Sequence, residues 1–203
     1  MSIDTCILRS VIKGKEQDYC VWESCSPIVV IGRGSREGNE IFRENCDRDG
    51  VPVFRRKTGG GAVVLSPGML VFSLAKRVGK EFHIREYAKQ VNDIVIEFFL
   101  DIGVSGLSTC GISDVCMGNR KIMGSGMYRR KKILFFQGSM LVDPDLSLMD
   151  RYLKIPPKQP EYRKERTHRD FVTTLRKEGV DIKTTKLIPL FDSFLAKNIS
   201  KIY

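Results

Sequence analysis

The chain has 203 residues, of which 42% are apolar, so it can bury a hydrophobic core and has the length of one domain. Lys and Arg number 34 against 24 Asp and Glu, and the resulting net charge of +10 favours anionic partners. No secretion signal is recognisable and no run approaches the ~20 apolar residues of a membrane helix, so we expect a cytoplasmic protein.

The first half of the chain predicts short strands around one helix. Residues 18–32 predict two strands interrupted at Ser26-Pro27. The following segment is typical of a helix of about three turns that begins at Ser35 as N-cap and ends before Asp49-Gly50. VPVFR, AVVLS and MLVFSLA then predict three strands, and three glycines separate the first two.

The second half predicts a helix, a hairpin and a helical end. Apolar residues recur every three or four positions over 84–99, which is the strongest helical pattern in the chain. Gly118-Asn119 predicts a hairpin turn, and the charged run at 129–132 leads into a further strand. Three more helices are predicted at 145–153, 166–178 and 184–198.

The six cysteines and two histidines do not form a metal-binding pattern. The cysteines lack the paired short spacing of zinc sites, and His83 and His168 lie far apart in sequence. We expect the cysteines to be reduced and mostly packed in the core.

The segment FRRKTGGGAVVLSPGM, residues 54–69, carries the first chemical signal. Glycines let backbone N–H groups converge on a ligand, and Arg55 and Arg56 supply forked, charged donors that suit phosphate. The pattern is neither a Walker loop nor a dinucleotide-binding glycine motif. It indicates an anion-binding loop, with a flexible turn beside a solvated basic run as the open alternative.

The segment GNRKIMGSG, residues 118–126, carries the second signal, because one lysine follows the predicted hairpin turn and two glycines follow that lysine. A lysine that faces a cleft can neutralise a phosphate or polarise a carboxylate under activation. Taken alone, Lys121 is more often an ordinary exposed lysine.

Together, the two segments resemble the catalytic domain shared by lipoate-protein ligases and octanoyl transferases. RRKTGGGAV is similar to the arginine and triple-glycine loop of that family, SDVCMGNRKIMGSG to its lysine strand, and FFQGSMLVDPDL to the strand and acidic turn that follow. PPKQPEYRKERTHRDF is similar to the end of a bacterial subgroup. The resemblance covers most of the chain, from about residue 3 to 175.

The resemblance implies an α/β fold of the α+β kind, with a mixed, largely antiparallel sheet flanked by helices, like the catalytic domain of biotin and lipoate ligases. We expect one such domain over residues 1–203, with 156–203 as a helical C-terminal extension and no accessory domain. SIDTCILRS matches only the interior of the family's first helix, so we also expect a shortened N-terminus.

The resemblance also implies an activity and a set of site residues. Such ligases convert lipoate to lipoyl adenylate with ATP and Mg²⁺, and then transfer the lipoyl group to a lysine of a lipoyl domain. Lys121 would contact the α-phosphate and the acyl carbonyl, and Asp114 would position the adenylate or the metal; no metal ligands are assigned. The residues expected to bind ATP or lipoyl adenylate are Arg56, Gly59, Gly60, Gly61, Ala62, Val63, Val64, Asp114, Lys121, Gly124, Ser125, Gln137 and Gly138.

The implied partner is an acceptor lipoyl-domain protein, of the E2 type of 2-oxoacid dehydrogenases or the H-protein type of glycine cleavage. Some members of the family also need a separate accessory chain. Lipoyl domains tend to be acidic, so a basic rim would speed their docking, and we expect neither a membrane nor a nucleic acid as partner.

Alternatives remain open. An octanoyl or lipoyl transferase would act without ATP through a thioester, with Cys110 or Cys116 as candidate nucleophile. A non-catalytic lipoate-binding relative is suggested by Leu65 and Gln137, which stand where many ligases carry histidine. IGRGSREG superficially resembles a biotin-ligase loop, and the basic runs resemble nucleic-acid contacts, although few aromatic residues accompany them.

Overall fold

The computed structural model describes residues 5–79 and 83–202, and in this part of the chain strands and helices alternate irregularly. The strands are β1 Gln17–Trp22, β2 Ile28–Ile31, β3 Val53–Arg55, β4 Val63–Leu65, β5 Met69–Arg77, β6 Leu107–Cys110, β7 Asp114–Met117, β8 Arg120–Arg130 and β9 Ile133–Leu141. The α-helices are α1 Thr5–Ile12, α2 Glu37–Glu40, α3 Arg43–Arg48, α4 Ile84–Asp101, α5 Ser147–Tyr152, α6 His168–Phe171 and α7 Thr184–Asn198. Three short 3₁₀ turns lie at 161–163, 176–178 and 199–201.

The larger sheet has six antiparallel strands in the order β1-β5-β9-β8-β7-β6. Its central strands β5 and β9 are apolar on both faces because both faces are covered. Phe72 and Phe136 face the side of α4 and α7, whereas Ala75 and Phe135 face α1. The large sheet is therefore a central layer with helices on both sides.

The smaller sheet has three strands in the order β3-β2-β4, with β2 parallel to β3 and antiparallel to β4. Val29 and Ile31 of β2 and Val64 of β4 pack with Tyr152 and Leu153 in a separate apolar cluster. Both sheets together confirm the expected mixed, largely antiparallel fold with flanking helices. The glycine loop joins β3 to β4 and so begins and ends in the smaller sheet.

Most of the predicted elements are confirmed, including the interrupted strands before residue 32, the helix α4, the hairpin of β7 and β8, and the helices α5 and α7. The strand β6 was not predicted. The first predicted helix begins within the described residues as α1, and residues 2–4 of that segment lie outside them. No helix within 5–79 or 83–202 has both the length and the apolar character needed to cross a bilayer.

The prediction of one three-turn helix after Ser35 is wrong, because long-range pairing interrupts it. Ile41 forms a β-bridge with Leu153, and the N–H of Phe42 donates to the carbonyl of Tyr152, so α2 ends and α3 begins anew. Ser35 is not the N-cap. Its hydroxyl instead donates to the carbonyl of Gly60 in the glycine loop, at 3.2 Å.

The prediction of a helix over 166–178 is also wrong in part. Only α6 and a 3₁₀ turn at 176–178 are helical there, and the chain between them is extended. Val172 forms a parallel bridge with Lys121, and the N–H of Thr173 donates to the Lys121 carbonyl at 2.9 Å. Pairing with β8 therefore replaces the helix in this part of the expected helical extension.

The core of α7 generates a stability prediction. Phe191 is fully buried, with its ring centre 5.1 Å from that of Phe72 and 4.9 Å from that of Phe98, whereas the neighbouring Leu190 is 42% exposed. We expect Phe191→Ala to lower the free energy of unfolding by about 3–5 kcal/mol, because it leaves a cavity among the rings. Urea denaturation measures this.

Leu190→Ala is the matched control for Phe191→Ala, and it should change the free energy of unfolding by less than about 0.5 kcal/mol. Equal losses in the two variants would contradict the packing of α7 against β5 and α4 described above.

Candidate active site

A cavity of about 290 Å³ is lined by both sheets and by the segment 153–172. This size approaches the range typical of small-molecule sites. The apolar lining comes mainly from β1, β2, β4, β5 and β9, and the basic lining from β3, β8 and the segment 154–163. Glu40 is the one acidic residue among the described residues that line the cavity.

The structure brings most of the sequence-predicted site residues to this cavity. Those that line it are Arg56, Gly61, Ala62, Val63, Val64, Lys121, Gly124, Ser125, Gln137 and Gly138. Gly59 and Gly60 belong to the same loop but do not line the cavity, and Asp114 reaches the site through its ion pair with Lys121.

Arg56 shapes the glycine loop from inside. Its side chain is buried, and its guanidinium donates to the carbonyls of Gly59 and Gly61 at 2.8 Å and to that of Val30 at 3.2 Å. Burial lowers its pKa to about 10, and the nearby carboxylate of Glu40 opposes that shift. The residue therefore remains charged at neutral pH while its donors are occupied by backbone carbonyls.

Glu40 meets the glycine loop from the other side. Its carboxylate is buried and accepts a hydrogen bond from the N–H of Ala62 at 2.5 Å. Its own carbonyl accepts from the N–H of Lys154 at 2.9 Å, so α2 connects the loop to the wall formed by segment 153–172. The N–H of Ala62, which the sequence analysis expects to bind an anionic ligand, is thus bonded to a carboxylate of the protein itself.

The glycine loop lies directly on β8. The N–H of Gly59 donates to the Met127 carbonyl at 3.0 Å. A Cβ at Gly126 would stand only 2.7 Å from the Gly59 carbonyl oxygen and 2.8 Å from the hydroxyl of Thr58. Thr58 is fully buried and donates to the side-chain oxygen of Gln137 at 2.7 Å, so β9 also holds the loop.

Lys121 is held by a carboxylate at the start of β7. Its Nζ lies 2.9 Å from Oδ1 of Asp114, and Oδ2 of Asp114 accepts from the hydroxyl of Tyr162 at 2.6 Å. Burial, followed by the charge of Asp114, raises the pKa of Tyr162, which keeps this hydroxyl protonated. Gly124 leaves room for the lysine, because a Cβ there would lie 3.0 Å from its Cε.

Cys110 and Cys116 flank this lysine site as a disulfide. In the strand register, Cys110 stands opposite Asp114 and Cys116 stands opposite Lys121. The expectation of reduced cysteines is therefore wrong for this pair, and the expectation of core packing is wrong for Cys6 and Cys25, which are exposed. Neither sulfur of the disulfide belongs to a residue that lines the cavity.

The wall formed by segment 153–172 carries positive charge, and the sequence did not predict this charge at the site. Arg163 is buried, with its Cζ 4.8 Å from the ring centre of Phe171 and its Nε donating to the Arg166 carbonyl at 3.0 Å. His168 is buried beside it, with Nδ1 at 3.5 Å from Nη2 of Arg163. Burial, together with the Arg163 charge, lowers the pKa of His168, so this imidazole is neutral at pH 7.

The sequence did not predict that Glu40, Tyr162, Arg163 and His168 belong to the site. The segment that carries the last three indicates, from the sequence, only a basic run and a similarity to a bacterial subgroup of the family. That similarity was the one available signal. Glu40 had none, because its neighbours in sequence predict an ordinary exposed helix.

The two glycines of β8 generate a prediction. A Cβ at Gly126 meets backbone, whereas a Cβ at Gly124 meets only the flexible end of Lys121. We therefore expect Gly126→Ala to lower the free energy of unfolding by about 1–3 kcal/mol, the usual effect of overpacking. Gly124→Ala should leave stability within about 0.5 kcal/mol while displacing the lysine. Thermal melts compare them, and a stable Gly126→Ala variant would contradict the close approach of the loop.

The two histidines generate a pH prediction. His168 has a lowered pKa in the folded chain, so the unfolded chain binds a proton first as the pH falls below about 6.5. Its stabilising contribution is present above that pH and is lost on acidification, by at most about 1.4 kcal/mol per pH unit. Denaturant titrations between pH 8 and 5 should show a shallower loss for His168→Gln than for the parent.

His83→Gln is the control for the pH prediction, because His83 is exposed and outside the cavity wall. Identical pH profiles for the parent and His168→Gln would contradict the burial of this imidazole.

Comparison with known proteins places the whole arrangement in a family. The sequence model of the family named lipoyl protein ligase A/B catalytic domain matches residues 1–194. The lipoate-protein ligase LplJ of Bacillus subtilis (strain 168) is 29% identical over 171 residues, which are 84% of this chain and 50% of that protein. The chain spans about half or less of the length of the curated relatives it matches.

Solved structures share the fold. Lipoate-protein ligase A bound with ATP is 23% identical with a TM-score of 0.79, over 97% of this chain and 78% of that one. The bipartite lipoate protein ligase of Thermoplasma acidophilum is 23% identical with a TM-score of 0.78, over 92% of this chain and 72% of that one. The fold and the family model together confirm the resemblance seen in the sequence, and the chain belongs to the lipoyl protein ligase A/B catalytic domain family.

Proposed function

We propose that this chain is a lipoate-protein ligase that activates lipoate with ATP and transfers the lipoyl group to a lysine of a lipoyl domain. The observation that carries the proposal is Lys121, anchored by Asp114, in one cavity with the triple-glycine loop. The names of the relatives support it, since they are lipoate-protein ligases and one was solved with ATP.

The apolar part of the cavity suits the tail of lipoate. Trp22, Ile28, Val63, Met69 and Val71 contribute to it from four strands and exclude water from the tail. The carboxylate of lipoate would then lie near the ammonium of Lys121, because Gly124 and Ser125 on the same strand also line the cavity.

In the first step, a carboxylate oxygen of lipoate attacks the α-phosphorus of ATP. A new oxygen–phosphorus bond forms, the bond to the β-phosphate breaks, and pyrophosphate leaves with the electron pair. Lys121 stabilises the negative charge that gathers on the α-phosphate oxygens. The ion pair to Asp114 and the hydrogen bond from Tyr162 to Asp114 keep that ammonium in position.

The glycine loop would hold phosphate oxygens through its backbone N–H groups, with Arg56 fixing its shape. The N–H of Ala62 is bonded to Glu40 in the ligand-free chain. A phosphate that takes this donor must first displace the carboxylate, so we propose that Glu40 moves when the nucleotide binds. Gly59, Gly60, Gln137 and Gly138 would act by supporting the loop and the adjacent strands.

In the second step, the ε-amino group of the acceptor lysine attacks the acyl carbon of lipoyl adenylate. An amide bond forms, the carbon–oxygen bond to phosphate breaks, AMP leaves with the electron pair, and the amine releases one proton to the solvent. Lys121 stabilises charge first on the carbonyl oxygen and then on the departing phosphate. The same ammonium therefore serves the formation and the breakdown of the mixed anhydride.

Mg²⁺ would accompany ATP and neutralise phosphate charge. It commonly binds one or two carboxylates together with substrate phosphates rather than a protein cage. Among the residues that the structure describes, no group of three or more His, Cys, Asp or Glu can hold a metal, but Glu40 offers a single carboxylate in the cavity. That donor set fits a metal held mainly by the nucleotide.

The acceptor would be a lipoyl domain of the E2 or H-protein type, met by the basic surface of this chain. One structural relative is described as a bipartite ligase with its E2 lipoyl domain. We propose that residues 1–203 act as one catalytic unit in the cytoplasm, and that a separate accessory chain can assist the activation step. The thiol-based transferase has no support in the cavity, since Cys110 and Cys116 are bonded to each other.

The proposal predicts ATP-dependent lipoylation. An apo lipoyl domain incubated with this chain, lipoate, ATP and Mg²⁺ should gain the mass of one lipoyl group. Lys121→Ala should lower the rate by about 100- to 1000-fold, the usual effect of removing a donor to developing charge. Lys89→Ala, an exposed lysine paired with Asp93 on α4, should not change the rate.

Preformed lipoyl adenylate is the second donor in this assay, because it tests transfer even if activation needs an accessory chain. No mass gain from either donor would contradict the proposal. Labelling by octanoyl carrier protein without ATP would instead identify a transferase.

A further inference from the structure

Arg163 is a buried cation that no carboxylate neutralises. The residue is 4% exposed and lines the cavity. Its side chain contacts the Arg166 carbonyl, the ring nitrogen of His168 and the face of Phe171. No Asp or Glu within residues 5–79 and 83–202 forms an ion pair with it, although buried charges are normally paired.

His168 orients Arg163 without compensating its charge. Nε2 of His168 lies 3.3 Å from the Lys154 carbonyl, so this nitrogen donates there and Nδ1 can accept from Arg163. A neutral imidazole in this tautomer fixes one edge of the guanidinium. The wall therefore presents a positioned donor with an unmatched positive charge.

Three other cations of the cavity are bound to acceptors of the protein. The guanidinium of Arg55 donates to the carbonyls of Gly32 and Ser35, and Arg56 donates to the glycine loop. Lys121 is paired with Asp114. The wall adds three lining cations that form no ion pair among the described residues: Arg163, Lys158 and Lys154, whose ammonium donates to the Gly38 carbonyl at 2.7 Å.

The wall is adjacent to the lysine site. Phe171, on which Arg163 stacks, precedes Val172, and Val172 pairs with Lys121. Tyr162, the neighbour of Arg163 in the 3₁₀ turn, donates to Asp114. A ligand whose phosphate meets Lys121 can therefore extend a further phosphate group toward Arg163.

We propose that Arg163, with Lys154 and Lys158, forms a subsite for a pyrophosphate group. Given the proposed function, on which this inference rests, the group is the β- and γ-phosphates of ATP and then the pyrophosphate that leaves. A planar guanidinium can donate to two phosphate oxygens at once. When the bond between the α-phosphate and its bridging oxygen breaks, the electron pair stays on pyrophosphate and Arg163 stabilises that added charge.

Calorimetric titration of the whole chain with inorganic pyrophosphate, ATP and AMP tests the subsite. We expect Arg163→Gln to raise the Kd of pyrophosphate and of ATP about tenfold or more, as expected for losing charge-assisted hydrogen bonds. The Kd of AMP, which lacks the terminal phosphates, should change less than about twofold.

Two further variants keep the test decisive if Arg163→Gln does not fold. Lys158 lines the cavity and is exposed, so Lys158→Gln should fold and raise the Kd of pyrophosphate and ATP by about two- to fivefold. Lys177→Gln removes the same charge at an exposed position outside the cavity and should change none of the three constants.

Each outcome bears on one claim. Unchanged pyrophosphate affinity in Lys158→Gln and in folded Arg163→Gln would overturn the subsite, and so would a parent chain that binds no pyrophosphate. An equal loss of AMP affinity in Arg163→Gln would also overturn it, because the residue would then shape the whole cavity. A parent that binds pyrophosphate through Arg163 but binds neither ATP nor AMP would keep the subsite and contradict the ligase proposal.

Discussion

Arg56 is buried, so its guanidinium needs hydrogen-bond acceptors that belong to the protein. It finds them in the carbonyls of Val30, Gly59 and Gly61, and these contacts join β2 to the glycine loop. The loop in turn rests on β8 at Gly126, where no side chain fits between them. The shape of the loop and its distance from the lysine strand therefore follow from the solvation of one buried charge.

The cations around the cavity differ in the protein groups to which they are bound. For the binding of a phosphate, this difference matters more than the number of cations. Arginines bound to backbone carbonyls give the loop its form, and Lys121 bound to Asp114 presents a positioned ammonium. Arg163 has no carboxylate partner within residues 5–79 and 83–202, and the backbone carbonyl to which it donates is that of Arg166, outside the glycine loop. A ligand phosphate gains most from donors that are already oriented and dehydrated, because little ordering remains to be done on binding. The net charge of +10 alone cannot distinguish these roles.

Sequence patterns correctly predicted the helices and turns whose formation depends on residues close together in the chain. The apolar stripe of α4 and the turn at Gly118-Asn119 lie within one element or one hairpin, and both are confirmed. The helix after Ser35 was predicted wrongly because Ile41 pairs with a residue more than a hundred positions away, at Leu153. Arg163 was missed for the same reason, since its meaning depends on a cavity that distant strands build.

The wall over the cavity comes from a segment that follows both the glycine loop and the lysine strand in the chain. During synthesis, Lys121 leaves the ribosome before Val172, its bridging partner, and before Tyr162, whose hydroxyl steadies Asp114. Until those residues have been synthesised, the apolar strands that line the cavity are exposed to water on that side. Such an exposed apolar surface can bind other proteins. The cavity therefore stays open on that side until residues 154–172 have been synthesised, and its apolar lining is exposed until then.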